Sequence, residues 1–179
     1  MSDNKDKRHI VFEKEDAYKN LEMTNSWISI MDTKASFLLA YVAVIIGFVF
    51  SNGIPHLFQN PESYEESFGF ILKVICVASL YALVLLSAGL FFATLKARTK
   101  KTDNRHSLLF FGEIAKMSLN DYKAKILNRT EEEFIKDVLD QIHMNSTICK
   151  RKSQLFNCGV ITTIIATLLF VICVLLQLL

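Results

Sequence analysis

The sequence predicts an all-α membrane protein with three transmembrane helices, N-terminus inside and C-terminus outside, extended into a cytoplasmic helical bundle. Three observations carry this. Apolar residues make up 51% of the chain and charged residues 21%, and the two are sorted into blocks rather than mixed. Three blocks, Ala35–Phe50, Phe68–Leu95 and Cys158–Leu179, hold no charge except Lys73. Both prolines fall in one stretch, after Ser51, so the rest of the chain is free to be helical.

Residues 1–12 are polar and are expected to fray. From residue 13 the apolar positions Ala17, Leu21, Trp27, Ile28, Met31 and Ala35 recur at spacings near three, four and seven. No Gly or Pro interrupts Val11–Ile46, which predicts one helix over 13–51 with its span at 35–51. Sixteen uncharged residues, Ala35–Phe50, reach about 24 Å at helix rise, short of a hydrocarbon core of about 30 Å. Ile54, Leu57 and Phe58 in the following loop are expected at the interface, where they help this short span. Gly53 and Pro55 end the helix and open an outer loop over 52–67.

The second span is expected over 68–95, running on into KARTKK. Lys73 is expected to snorkel toward Glu65 or Glu66. Ala78, Ala82, Gly89 and Ala93 are small residues four apart in pairs, a pattern that lets helices approach closely in lipid. The insert over 96–157 carries two capping-box signatures. Ser118-x-x-Asp121 predicts a short helix over Leu119–Leu127, and Thr130-x-x-Glu133 predicts a second. After Glu131 the positions Phe134, Ile135, Val138, Leu139, Ile142 and Ile148 form a stripe, and no Gly or Pro appears until Gly159. That helix is therefore expected to run into the third span, 158–179, for 49 residues or about 73 Å. Domain organisation is read as one membrane module over 13–179.

Orientation follows from the basic residues. Six precede Ser36, none lies in Ser51–Ser67, thirteen lie in Lys96–Asn157, and Lys73 is the twentieth. Basic segments stay in the cytoplasm, which predicts a multi-pass membrane protein whose acidic loop crosses to the outside. No signal peptide is expected, because the charged 34-residue lead is too long for an n-region.

The pattern excludes several classes. A net charge of +2 gives no argument for nucleic acid. With six glycines, no HExxH, no phosphate loop and no supported Ser-His-Asp set, no catalytic residue is assigned. Cys76, Cys149, Cys158 and Cys173 form no CxxC pair and two lie well inside expected spans, so neither a disulfide framework nor a zinc site is suggested, and no cofactor is expected. Apart from Lys73 no charge lies well inside a span, which argues against a coupled transporter.

The stretch SWISIMDTKASFLL places Asp32 and Lys34 at the mouth of the first span. Two residues apart on a helix, they point about 200° apart and cannot answer each other. Lys34 can snorkel to phosphates. Asp32 is too short to climb and is repelled by anionic lipid, so a basic partner is expected from the collar Lys150, Arg151 and Lys152, with Arg151 the first choice for a charge swap. Such a pair would latch the first helix to the last; a solvated headgroup-level aspartate is the alternative.

NSWISIMDTKASFLL, LLFFGEIAKMSLNDY and DVLDQIHMNSTICKRK together resemble the membrane module of Pycsar effectors, a bacterial antiphage domain. The carried pattern is Trp27, Asp32, Lys34 and Ala35, then Phe111, Gly112 and Tyr122, then Asp140, Gln141, Asn145, Ser146 and Lys152. The resemblance implies that a cyclase makes a nucleotide second messenger on infection and that the effector impairs the inner membrane. Trp27 joins Asp32, Lys34 and the collar as a gating candidate on that ground. A cyclic pyrimidine monophosphate would need cations for phosphate and an aromatic face for its base. The insert offers Lys116, Lys123, Lys125 and Arg129 near Phe111 and Tyr122. The same cations also suit a solvated basic surface facing anionic lipid. Expected partners are the bilayer, further copies of the chain, and the cyclic nucleotide or a protein that senses it. The alternative function is a non-enzymatic scaffold anchoring a soluble partner; an ordinary small channel subunit ranks third.

Overall fold

The computed structural model describes residues 14–51, 68–96 and 107–178. The frayed terminus, the 52–67 loop with Ile54, Leu57, Phe58, Glu65 and Glu66, and the KARTKK continuation beyond Lys96 lie outside the described residues.

Five helices follow in order: α1 (Lys14–Ser51), α2 (Phe68–Leu95), α3 (Phe111–Ile114), α4 (Leu119–Leu127) and α5 (Glu131–Leu175). α1, α2 and α5 are each long and apolar enough to cross a membrane. The chain divides into two compact units, one of Met1–Trp27 with Arg98–Ile148 and the other of Ile28–Ala97 with Cys149–Leu179. The divisions fall inside α1 and α5, so both helices contribute to each unit.

The apolar unit is built on sevens. α1 buries Ala35, Val42 and Val49; α2 buries Val77, Val84 and Phe91; α5 buries Lys152, Gly159, Ala166 and Cys173. In α2 a second series, Leu80, Ser87 and Thr94, completes an a/d pattern. A sustained seven-residue repeat imposes left-handed packing, because an α-helix turns in 3.6 residues rather than 3.5. The hydroxyls of Ser87, Thr94 and Thr163 sit inside without cost, since each donates to the carbonyl four residues back in its own helix, at 2.8–2.9 Å. Gly159 permits a close approach: a Cβ there would meet Phe91 Cε1 at 2.8 Å. The outer faces present Phe37, Phe48, Phe92 and Ile161, all more than half exposed. Such a surface suits lipid and not water.

The small residues Ala78, Ala82, Gly89 and Ala93 do not form the packing face within the chain. All four are exposed, and a Cβ at Gly89 would meet nothing within 4 Å. The reason is bulk: the heptad positions carry Val, Leu and Phe side chains that fill the space between helices, and the close contact falls at Gly159 instead.

The polar unit begins with α1 against the start of α5. Tyr18 and Phe134 rings lie 5.5 Å apart, Lys14 pairs with Glu131 at 3.5 Å, and Asn145 donates to Asn25 at 2.8 Å. Both expected N-caps form, and the one at Thr130 is the full reciprocal box. Ser118 Oγ accepts from the Asp121 amide at 3.1 Å and starts α4. The Thr130 amide donates to Glu133 Oε2 at 3.1 Å while the Glu133 amide donates to Thr130 Oγ1 at 3.3 Å, which starts α5. The single turn α3 was not anticipated; it buries Glu113, which accepts from Lys116 at 2.8 Å.

Candidate functional site

Two polar arrangements stand out, one in each unit. In the apolar unit, Lys152 Nζ donates to Asp32 Oδ1. The lysine side chain is 9% exposed and the aspartate 37%. Lys152 lies on the same seven-residue line as Gly159, Ala166 and Cys173 and so faces inward. Lys150 and Arg151 lie about 200° and 100° around the helix from it. Both are exposed, so the swap partner expected above, Arg151, is corrected to Lys152. Lys34 is also exposed, in keeping with its position away from the packed face, and Trp27 is 48% exposed and touches no part of the pair among the described contacts. Ala35, one turn beyond Asp32, is fully buried, so the pair sits where the packed apolar line of α1 begins.

In the polar unit, Asp137 is 8% exposed and organises its surroundings. Its Oδ2 accepts from the Leu108 amide at 3.0 Å and from Arg129 Nη2 at 2.9 Å. Arg129 also donates to the Glu133 carbonyl at 2.8 Å and lies 5.5 Å from the centre of the Phe134 ring. Lys14 lies 5.6 Å from the same ring, so two cations contact one phenylalanine.

Two clefts share Leu108 and Arg129. One, of about 620 Å³, is lined by Lys125, Arg129, Lys136, Glu133, Asp137 and Asp140. Its three cations are matched by three carboxylates, so it carries no net positive field. The other, of about 320 Å³, brings Tyr122, Arg129, Lys14 and Phe134 together at the start of α5. The six expected ligand residues therefore do not converge. Tyr122 and Arg129 share the smaller cleft and Lys125 joins Arg129 in the larger. Phe111 is 68% exposed against Phe110, Lys116 is engaged by Glu113, and Lys123 is exposed outside both linings. Sequence reasoning missed Lys14, Asp137 and Phe134 here. The one available signal was Asp137 beside Val138 inside an apolar stripe, a carboxylate that must find a buried partner.

The order of motifs along the chain now has an independent measure. The model of the Pycsar effector protein domain matches residues 16–179. The chain belongs to the Pycsar effector family. A Pycsar effector protein of Gulbenkiania mobilis, GmPycTM, is 30% identical over 176 residues, covering 89% of this chain and 90% of the relative. No solved structure matches the chain. The protein is thus a membrane-type member of a family of antiphage defence effectors. The family match contains both arrangements described above, Asp32–Lys152 and the Arg129–Asp137 pair.

Proposed function

We propose that this protein is a signal-gated, non-catalytic effector of the bacterial inner membrane. On infection a cyclic nucleotide second messenger, acting directly or through a sensing partner, causes it to impair membrane integrity and halt growth. The spans lie N-terminus in and C-terminus out, and the polar unit faces the cytoplasm. The observation that carries the reading is the Asp32–Lys152 pair: one charge tie between two span helices, placed where an otherwise apolar bundle begins. Within the apolar unit α1 and α5 are held by side-chain shape, this ion pair and the Tyr41–Thr167 hydroxyl contact at 3.2 Å, a set that a modest input can release, whereas a bundle held by charge pairs along its length cannot be.

Function requires more than one copy, because three packed spans filled by Val, Leu and Phe leave no path for ions. The exposed small-residue face of α2 supports contact with a second copy. The smaller cleft of the polar unit, with Arg129 for phosphate and Tyr122 and Phe134 for a base, is the place where this chain would take a nucleotide itself.

The test is membrane potential in cells expressing the chain with a nucleotide cyclase. Wild type is expected to depolarise only when the cyclase is active. Asp32→Asn is expected to reach the membrane normally and to lose that dependence, either silent or active without signal. Asp32→Lys with Lys152→Asp is expected to regain part of it. Signal-dependent depolarisation by Asp32→Asn at wild-type level would show that the pair is not the latch.

A further inference from the structure

The chain holds four cysteines, and the two that lie in different spans face each other. Cys76 Sγ of α2 and Cys173 Sγ of α5 are 3.7 Å apart. Cys173 is fully buried, while Cys76 is half-buried, beside the buried Val77. A lone buried cysteine packs as a small apolar side chain and is chemically idle. Two thiols in contact across a helix interface are a different case. A disulfide needs the sulfurs near 2.05 Å, about 1.7 Å closer than here. Cys149 and Cys158 have no such neighbour among the described contacts, so the pairing is specific to one level of the bundle.

We propose that Cys76 and Cys173 are a redox modification site, a thiol pair that forms a reversible disulfide and fastens the second span to the third in the resting packing. The chemistry matches the unequal burial. A membrane-permeant peroxide reaches the half-buried Cys76 first. Its sulfur takes one oxygen, giving a sulfenic acid while the peroxide leaves as water. The Cys173 thiol then attacks that sulfur; the S–S bond forms, the S–O bond breaks, and the thiol proton leaves with the hydroxyl as a second water. Both sulfurs are oxidised and the peroxide is reduced. A dithiol reverses the step by exchange. The two residues are 97 apart in sequence, so the bond would tie α2 to α5 across the whole polar insert.

The same two sulfurs say what oxidation would do to function. The Asp32–Lys152 tie joins the first and last spans, and the thiol pair joins the second and last. With both in place every span is held to α5, and a disulfide does not yield to the signal that releases an ion pair. The oxidised protein is held closed. This consequence rests on the effector reading above.

The test uses the full chain carrying Cys149→Ser and Cys158→Ser, reconstituted in vesicles of phosphatidylethanolamine and phosphatidylglycerol and treated with hydrogen peroxide. Trypsin then cuts between Lys96 and Lys152, which separates the peptide holding Cys76 from that holding Cys173. On a non-reducing gel the two are expected to migrate joined, and dithiothreitol is expected to separate them. Peptides that stay apart after peroxide would overturn the site. So would equal joining after a further Cys173→Ser, which would mean that Cys76 pairs between copies. In cells with an active cyclase, peroxide is expected to lower depolarisation at least tenfold for this variant and not for its Cys76→Ser derivative. Unchanged depolarisation by fully joined protein would overturn the fastening role. A reduced protein that never depolarises would instead sink the effector reading, while the gel result stands on its own.

Discussion

The two units each hold one charge pair, and the pairs are built differently. Arg129 and Asp137 are both nearly buried, at 14% and 9% exposure, and Asp137 also accepts a backbone amide. Lys152 is as buried as Asp137, but its partner Asp32 is 37% exposed and takes Lys152 as its one side-chain donor among the described residues. The first pair is a fixture: its carboxylate fixes the positions of α5, the segment at Leu108 and the approach to α4 in one place. The second is the charged tie between two helices that within the apolar unit are otherwise joined by side-chain shape and the Tyr41–Thr167 hydroxyl contact. Removing one partner of a buried pair costs the desolvated remainder, while a half-exposed pair loses much of its strength to solvent.

That difference predicts a hierarchy. Asp137→Ala strands Arg129 and the Leu108 amide together and is expected to destabilise the polar unit by about 3–5 kcal/mol. Hydrogen exchange at α3 and α4 amides should rise sharply in that variant, while amides of α2 stay protected. Equal loss of protection in α2 would mean that the two units do not respond separately. Gly159→Ala is expected next, at about 1–3 kcal/mol, because the new methyl meets a fully buried Phe91 ring that has no room to retreat. Gly89→Ala, with open space at its Cβ, is the matched control and should leave the detergent-solubilised melting temperature unchanged. Asp32→Asn is expected to cost only about 1–2 kcal/mol, since the lysine stem can carry its charge to the headgroups once released. Its effect should therefore appear in gating more than in thermal stability.

Helix ends were largely legible in the sequence, and the faces of the span helices were not. The expected helices 13–51 and Leu119–Leu127 agree with Lys14–Ser51 and Leu119–Leu127, because capping residues and loop residues mark ends locally, whereas α2 stops at Leu95 before KARTKK and α5 at Leu175 rather than Leu179. In lipid, by contrast, apolar residues surround a span on all sides. Val77 and Ile75 look alike in composition, yet one is buried and the other is 55% exposed. Small residues were the visible signal, and their face lies outside the packing of this single chain; the seven-residue line through Lys152, Gly159, Ala166 and Cys173 is the one packed within it. The same line chooses Lys152 from three adjacent cations, a choice that charge alone leaves open. The clefts of the polar unit were less legible still. Lys14, Leu108, Arg129 and Asp137 come from three separate segments, and no local motif announces a site assembled from such distances.

The smallest expected effect lies at the start of α5 and sharpens the comparison from the other side. Thr130 and Glu133 satisfy two backbone donors reciprocally, at 3.1 and 3.3 Å, and an N-cap of this kind contributes about 1 kcal/mol. α5 is 45 residues long, so its existence rests on packing along its length and not on its cap. Thr130→Ala should therefore loosen only the first turn. The neighbouring ties are close enough to report it: Arg129 donates to the Glu133 carbonyl, and Lys14 pairs with Glu131. Faster hydrogen exchange is expected at Glu131–Phe134, with protection at Val138 and beyond unchanged, because Asp137 still anchors the second turn through Arg129 and Leu108. Loss of protection that spreads past Val138 would show that the cap, and not the buried pair, holds this unit together. The order drawn between the polar ties of the molecule would then have to be reversed.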